Sequence, residues 1–146
     1  MKIQKISLSK RKHLAKFLVS YWKSRGMNYS FSWAMQYLKK GMVMEFSEER
    51  FIAVDENENI LGTIALLKNN YYVAEIRDEV WQNDLIGSLL LQELVMFAKK
   101  NKIKKLFSLA LKNKISFYKK YGFKKEGMLK DQFKKGEHVA IMSKFI

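Results

Sequence analysis

The sequence predicts an α/β domain, a mixed sheet with helices on its faces, in the order β-α-α-β-β-β-α-β-α-β-β. Three observations predict it. Stretches with apolar residues three and four apart alternate with short runs rich in Ile, Val, Phe and Leu, the two periods of helix and strand. The chain has 146 residues, 48% of them hydrophobic, enough for one buried core and no more than one ordinary domain. No linker, internal repeat or low-complexity stretch interrupts it beyond a lysine bias, so residues 1–146 are read as a single domain.

The elements follow in order. Residues 2–7 (KIQKIS) alternate as a short first strand. From Ser9, Leu14, Phe17, Leu18, Tyr21 and Trp22 recur at helical spacing, with Lys10, Lys12, Lys16 and Lys23 mostly off that stripe. This basic amphipathic pattern fits a helix covering a sheet, and also a helix lying on a membrane surface. A second helix fits residues 30–40: Asn28 or Ser30 can cap it, Phe31, Met35 and Leu38 form its stripe, and Lys39-Lys40-Gly41 stops it. Residues 50–54 and 60–67, joined by the polar turn DENEN, read as a hairpin, and Lys68-Asn69-Asn70 leads into a third strand, YYVAEIR. Residues 84–101 form the longest helix, apolar over so much of its surface that it must be largely buried. KIKKLFSLAL is the next strand, KISFYKKY a short helix stopped by Gly122, and residues 123–127 and 137–144 are the final strands.

The formal charge of +14 is unevenly placed: residues 1–40 carry +10, 41–98 carry −8 and 99–146 carry +12. Two basic ends suit a polyanion such as nucleic acid. Against this, 24 of the 28 basic residues are Lys, whereas bidentate phosphate and base contacts call for Arg; a solvated Lys-rich surface explains the same count. The acidic middle would suit a cationic ligand.

Several chemistries are excluded. With no cysteine there are no disulfides, thiolate nucleophiles or cysteine-ligated zinc. His13 and His138 cannot make a three-histidine site, and no metal is expected. The seven glycines are too dispersed for a dinucleotide fingerprint or a Walker loop, and nothing resembles a nucleophile elbow. The longest fully apolar run, Leu94 to Ala98, is far short of the ~20 residues of a membrane span, and the N-terminus has no signal-peptide core. The expectation is a soluble cytoplasmic protein.

Two segments carry the chemistry: Gln82-Asn83-Asp84-Leu85-Ile86-Gly87-Ser88, where a strand passes into a helix, and Phe117-Tyr118-Lys119-Lys120-Tyr121-Gly122-Phe123. Free amides at a helix start make an anion site, and Gly87 would let a phosphate approach the backbone. The first segment resembles the Gln/Arg-x-x-Gly-x-Gly/Ala pyrophosphate loop of the GNAT superfamily of N-acetyltransferases, and the second its Phe/Leu-Tyr-x-x-x-Gly-Phe segment. The element order is similar to that family's over nearly the whole chain.

The resemblance implies an acetyl-CoA-dependent N-acetyltransferase acting on a primary amine of a small molecule, a peptide, or a protein N-terminus or lysine. It implies that the third strand splays from its neighbour and that backbone groups of Glu75, Ile76 and Arg77 pair with the pantetheine arm. Gln82 and the amides from Asn83 through Asp84, Leu85, Ile86 and Gly87 to Ser88 would hold the pyrophosphate; Asn113 is the cofactor-binding candidate for the Asn often found before the family's Tyr, though it stands two residues too close to Tyr118. Tyr118 would protonate the departing CoA sulfur, and Glu75, or a water-mediated route, would take the amine's proton. Six aromatics within residues 21–37 either line the acceptor pocket or fill core; with Tyr71, the substrate candidates are Trp22, Tyr29, Phe31 and Trp33.

Leu85 stands where the loop's first glycine would be, and Asp84 where a neutral or basic residue is expected. A carboxylate there opposes a diphosphate by ~0.7 kcal/mol per charge pair at ~6 Å in water. Two alternatives therefore accompany the enzyme reading: an acetyltransferase directed to aminoacyl-tRNA through the basic ends, and a non-catalytic interaction module of the same fold. Either a monomer or a homodimer fits.

Overall fold

The computed structural model describes residues 2–39, 42–43, 46–68 and 72–146. Strand β1 (Lys2–Lys5) leads to helices α1 (Arg11–Ser24) and α2 (Phe31–Lys39). The two-residue β2 (Met42–Val43) is followed by β3 (Phe46–Val54), β4 (Ile60–Lys68) and β5 (Val73–Trp81). Helix α3 (Asp84–Lys100), β6 (Lys105–Leu111), a 3-10 turn (Lys112–Lys114), α4 (Ile115–Lys120), β7 (Lys124–Leu129) and β8 (Val139–Phe145) complete the order. Among the described residues the strands form one sheet, β1-β3-β4-β5-β6-β8-β7, with β2 beside β3. The pairing is antiparallel except for β5 with β6.

The predicted order holds, with β2 added, and two strands run longer than their apolar runs suggested. β3 begins before Arg50 because Glu48 and Glu49, polar as they are, pair with Leu67 and Leu66 of β4. β5 continues past Arg77 to Trp81, carrying two acids inside a strand. The turn between β3 and β4 is closed by the Asp55 carboxylate, which accepts from the amides of Asn57 at 2.9 Å and Asn59 at 2.8 Å.

The sheet separates two apolar clusters. On one face α3 buries Ile86, Leu90, Leu94 and Ala98, spaced by four, against Ile64, Leu66, Ala74 and Ile76. On the other, Leu14 and Leu18 of α1 and Ala34 and Leu38 of α2 cover Ile52, Val54, Ile60 and Val80. Truncating a fully buried leucine such as Leu90 to alanine would cost about 2–5 kcal/mol.

β5 changes face partway along. Ala65 faces Arg77 while Thr63 faces Val80, so Asp78 and Glu79 stand opposite the single residue Ile64, and Asp78 takes a left-handed φ of 52°. This is a β-bulge. Before it, Ala74 and Ile76 point to α3; after it, Val80 points to α1 and α2, and Trp81 to α3. The parallel ladder to β6 holds from Val73–Lys105 to Ile76–Ser108 and stops there, although both strands continue. The bulge thus opens a wedge in the middle of the sheet.

Candidate active site

The wedge is held open from one side by a buried ion pair network. Arg50, only 5% exposed, donates from Nη1 to Asp78 Oδ2 at 2.7 Å and from Nη2 to Glu48 Oε1 at 2.5 Å. Tyr37 of α2 donates its hydroxyl to the same Asp78 oxygen at 2.6 Å. Burial opposes the Arg50 charge, but Asp78 and Glu48 more than offset it and keep the guanidinium protonated. Burial, reinforced by Asp78, likewise raises the Tyr37 phenol. These bonds anchor a residue whose left-handed backbone costs of order 1–3 kcal/mol.

Across the wedge lies Tyr118, with no exposed surface. Its place is set by how α4 ends. Gly122 adopts a φ of 81°, its amide bonds Lys119 O at 3.0 Å, and the Phe123 amide bonds Tyr118 O at 3.0 Å. That is a Schellman cap, with Phe123 packed on the Tyr118 ring at 4.8 Å between centroids. The Tyr-x-x-x-Gly-Phe spacing is therefore the sequence form of a device that fixes one tyrosine.

The Tyr118 hydroxyl donates to Glu79 Oε1 at 2.7 Å, and the Ser108 hydroxyl donates to the same oxygen. Burial raises the Glu79 carboxyl, partly countered by those two hydrogen bonds and by Lys114. Burial, then the Glu79 charge, raises Tyr118 well above its ordinary 10.0. Lys114 stands at the end of the wedge with its ammonium 3.3 Å from the centre of the Trp81 ring. Its pKa falls to about 8 through burial, with Glu79 and Asp84 pulling the other way.

Glu75 lies elsewhere. It pairs with Phe107 in the closed part of the ladder, its neighbours Ala74 and Ile76 face α3, and its carboxylate is 3.7 Å from Arg77. It therefore occupies the face opposite Tyr118. Ile76 is also inside the paired stretch, and only Arg77 of the three stands where the edge opens.

The strand-to-helix connection is short: Gln82 and Asn83 alone link β5 to α3. Asn83 caps the helix, accepting the Ile86 amide on its side chain at 3.1 Å and the Gly87 amide on its carbonyl at 3.1 Å. Asp84 and Leu85 are then the first-turn amides with no acceptor inside the helix. Leu85 exposes its side chain, and the Ser88 hydroxyl bonds Leu85 O at 2.7 Å. Gly87 is not open to a phosphate: a Cβ there would lie 2.5 Å from the Trp81 ring, so the glycine seats the indole.

A cleft of about 340 Å³ leads from the wedge to the surface past the bulge. Trp22, Tyr29 and Trp33 line it, as do Asn113 and Lys114; Phe31 sits exposed at the start of α2 and is not among its walls. Tyr71 lies outside the described residues. Between Glu75 and Glu79, on or just after the third strand, sequence reasoning prefers Glu75, and the structure brings Glu79 to Tyr118; Tyr37, one of the six aromatics of residues 21–37, does line the cleft, while Asp78 and Phe133 were missed as its walls. The one signal was a pair of acids inside a strand-like run, Asp78-Glu79. Among the described residues, no three potential metal ligands come together, and no helix is long and apolar enough to cross a membrane.

The family description "Acetyltransferase (GNAT) domain" matches residues 28–144, and the chain belongs to that family of N-acetyltransferases. An aminoglycoside 6'-N-acetyltransferase solved with coenzyme A superposes with a TM-score of 0.82 at 16% identity, covering 99% of this chain and 97% of that one. The ribosomal-protein-alanine N-acetyltransferase of Brucella melitensis gives 0.81 at 17% identity over 100% of both chains. A spermidine N-acetyltransferase variant from Vibrio cholerae gives 0.78 at 17%, covering 99% and 95%. At these identities the likeness is one of fold. No curated protein sequence is significantly similar to the chain.

Proposed function

We propose that this acetyltransferase transfers an acetyl group from acetyl-CoA to a primary amine by direct attack, with Tyr118 as proton donor and Glu79 as proton acceptor. The observation that carries the reading is the 2.7 Å hydrogen bond between them inside the wedge. Acetyl-CoA, when bound, supplies an activated acyl group and a thiol leaving group of ordinary pKa ~8.5.

The residues suit that donor. The β5 edge from Arg77 to Trp81, left unpaired by β6, offers main-chain groups to an extended amide-bearing arm, and an N–H there would polarise a carbonyl. The helix start, with the Asp84 and Leu85 amides flanked by Gln82 and Asn83, takes the anionic end. Lys114 supplies a charge that offsets Asp84, and Asn113 adjoins it in the same turn.

An amine near pKa ~10.4 must shed a proton before it attacks. Glu79, its carboxyl raised by burial and its Oε1 fixed by Ser108 and Tyr118, is suited to receive that proton, directly or through one water. The Tyr118 hydroxyl remains protonated because its pKa is raised, so its proton is available to a departing sulfur. Glu79 then returns the captured proton to Tyr118 across their hydrogen bond, and the pair is reset. Glu75, held by Arg77 on the other face, has no comparable link to Tyr118.

The test is thermal unfolding with acetyl-CoA, followed by thiol release with amine acceptors. Ligand at ~100 times its dissociation constant stabilises by about 2.7 kcal/mol, several degrees for a domain this size. No shift would sink the donor site and leave the non-catalytic reading. A shift without thiol release to any amine would sink the transfer reaction.

A further inference from the structure

The carboxylates of the cleft walls are already engaged. Asp78 is bound by Arg50 and Tyr37, Glu79 by Ser108 and Tyr118, and Glu137 by Arg25 at 2.7 Å. Among the basic residues of the wall, Arg77 pairs with Glu75. Two further acids of the middle segment are ion-paired as well, Glu49 with Lys5 and Glu58 with Lys10. A polycation entering this cleft finds the carboxylates of its walls already partnered and, among the described residues, Lys114 as a basic wall residue that no ion pair offsets.

Aromatic side chains, Trp33 sandwiched face to face between Tyr29 and Tyr37 and so offering its edge, are what the cleft does present. Tyr29, Trp33 and Tyr37 stack in a row on α2 and its approach, with centroids 4.5 and 5.3 Å apart and planes 18° and 9° from parallel. Trp22 closes the row edge-on at 5.2 to 6.1 Å from all three. The row is more than core filling, since Tyr29 and Trp33 stay 42% and 43% exposed. Phe133, 59% exposed in the β7–β8 loop, lines the same cleft from another element. At the inner end are Glu79 and the wedge.

We propose that the acceptor is a monoamine carried on a flat aromatic body, an arylalkylamine, whose ring lies against Trp33 and Tyr29 with Phe133 opposite while its amine reaches Glu79. This rests on the acetyl-transfer reading above and narrows it. A single positive charge is accommodated by the reacting end, and the ring gains edge-to-face aromatic contact with the row where a linear polyamine would gain little.

The experiment compares phenethylamine, hexylamine and spermidine as acceptors by thiol release, and measures their binding by calorimetry. Phenethylamine is expected to show a kcat/KM roughly two- to ten-fold above both others, the discrimination one aromatic pair supplies. Trp33→Ala and Phe133→Ala should each raise its KM several-fold with kcat nearly unchanged, and Trp33→Phe should restore most of the loss. The acetyl-CoA thermal shift of these variants should match that of the parent, which separates a lost acceptor site from a lost fold. Spermidine preferred over phenethylamine, or equal losses for all three amines in Trp33→Ala, would overturn the inference. So would an intact acetyl-CoA shift with no phenethylamine binding. Loss of the acetyl-CoA shift in the parent protein would instead strike the donor reading, and calorimetric binding of phenethylamine would still test the aromatic site.

Discussion

Replacing Arg50 with methionine removes the positive centre of the Glu48–Arg50–Asp78 network while keeping most of the side-chain volume. Breaking a buried ion pair by deleting one partner costs about 3–5 kcal/mol, because the remaining charge is left without compensation. Here two carboxylates lose their partner, which argues for the full cost. Yet their side chains are 14% and 17% exposed, and Tyr37 still donates to Asp78, so partial hydration brings the expectation to the lower end. About 3 kcal/mol corresponds to a fall of roughly 6–12 °C in Tm for a domain of this size. Urea unfolding at pH 7 gives the free energy directly, and the neutral triple variant Glu48→Gln/Arg50→Met/Asp78→Asn should recover most of it. Because Asp78 holds the bulge, Arg50→Met should also lower acetyl transfer more than it lowers folded fraction. A loss under ~1 kcal/mol with unchanged activity would refute the view that this network sets the wedge.

Other consequences are as sharp. Tyr118→Phe keeps the Schellman packing but removes the proton, so thiol-release kcat should fall about 10²–10⁴-fold while the acetyl-CoA thermal shift persists. Glu79 has its folded pKa raised, so its contribution to stability is present at low pH and lost as pH rises through that pKa; Glu79→Gln should therefore be more stable than the parent at pH 8 and no more stable at pH 4, by chemical unfolding. The same substitution should remove the acid limb of the kcat/KM profile, which the charged carboxylate requires. Lys114 loses its charge as pH rises through about 8, so acetyl-CoA affinity by calorimetry should weaken over that range, and Lys114→Gln should be weaker but flat. Gly87→Ala should displace the Trp81 indole at a cost of about 1–3 kcal/mol, read as a changed tryptophan emission and a lower Tm.

Much of this fold was legible because its signals are local. The four-residue spacing of Ile86, Leu90, Leu94 and Ala98 gives α3 with its buried face, and Gly122-Phe123 gives the end of α4 with the orientation of Tyr118. What stayed hidden depends on partners far apart in sequence. Asp78-Glu79 within YYVAEIRDEVW looks like the polar end of a strand; only Arg50 and Tyr37, 28 and 41 residues away, turn it into a bulge. That bulge shifts the strand's parity, which is why Glu79 rather than Glu75 meets Tyr118. The same shift moves the opened edge to Arg77 and beyond, past Glu75 and Ile76. Gly87 looked like room for a phosphate because its neighbour in space, Trp81, is six residues before it across a turn of unknown length. The acidic charge of residues 41–98 suggested a cationic ligand, and which of those acids already have partners, as Asp78 has Arg50 and Glu49 has Lys5, shows only in the fold.

The central claim is that Glu79 and Tyr118 act as one proton-transfer unit in acetyl transfer. A double-mutant cycle on thiol release, with Glu79→Gln, Tyr118→Phe and the pair together, tests it most directly. Residues that act as a unit are strongly non-additive, so the double variant should be about as slow as the slower single variant, all retaining the acetyl-CoA thermal shift. Losses that simply multiply would contradict the account, as would a Glu79→Gln enzyme with the parent's rate and pH profile.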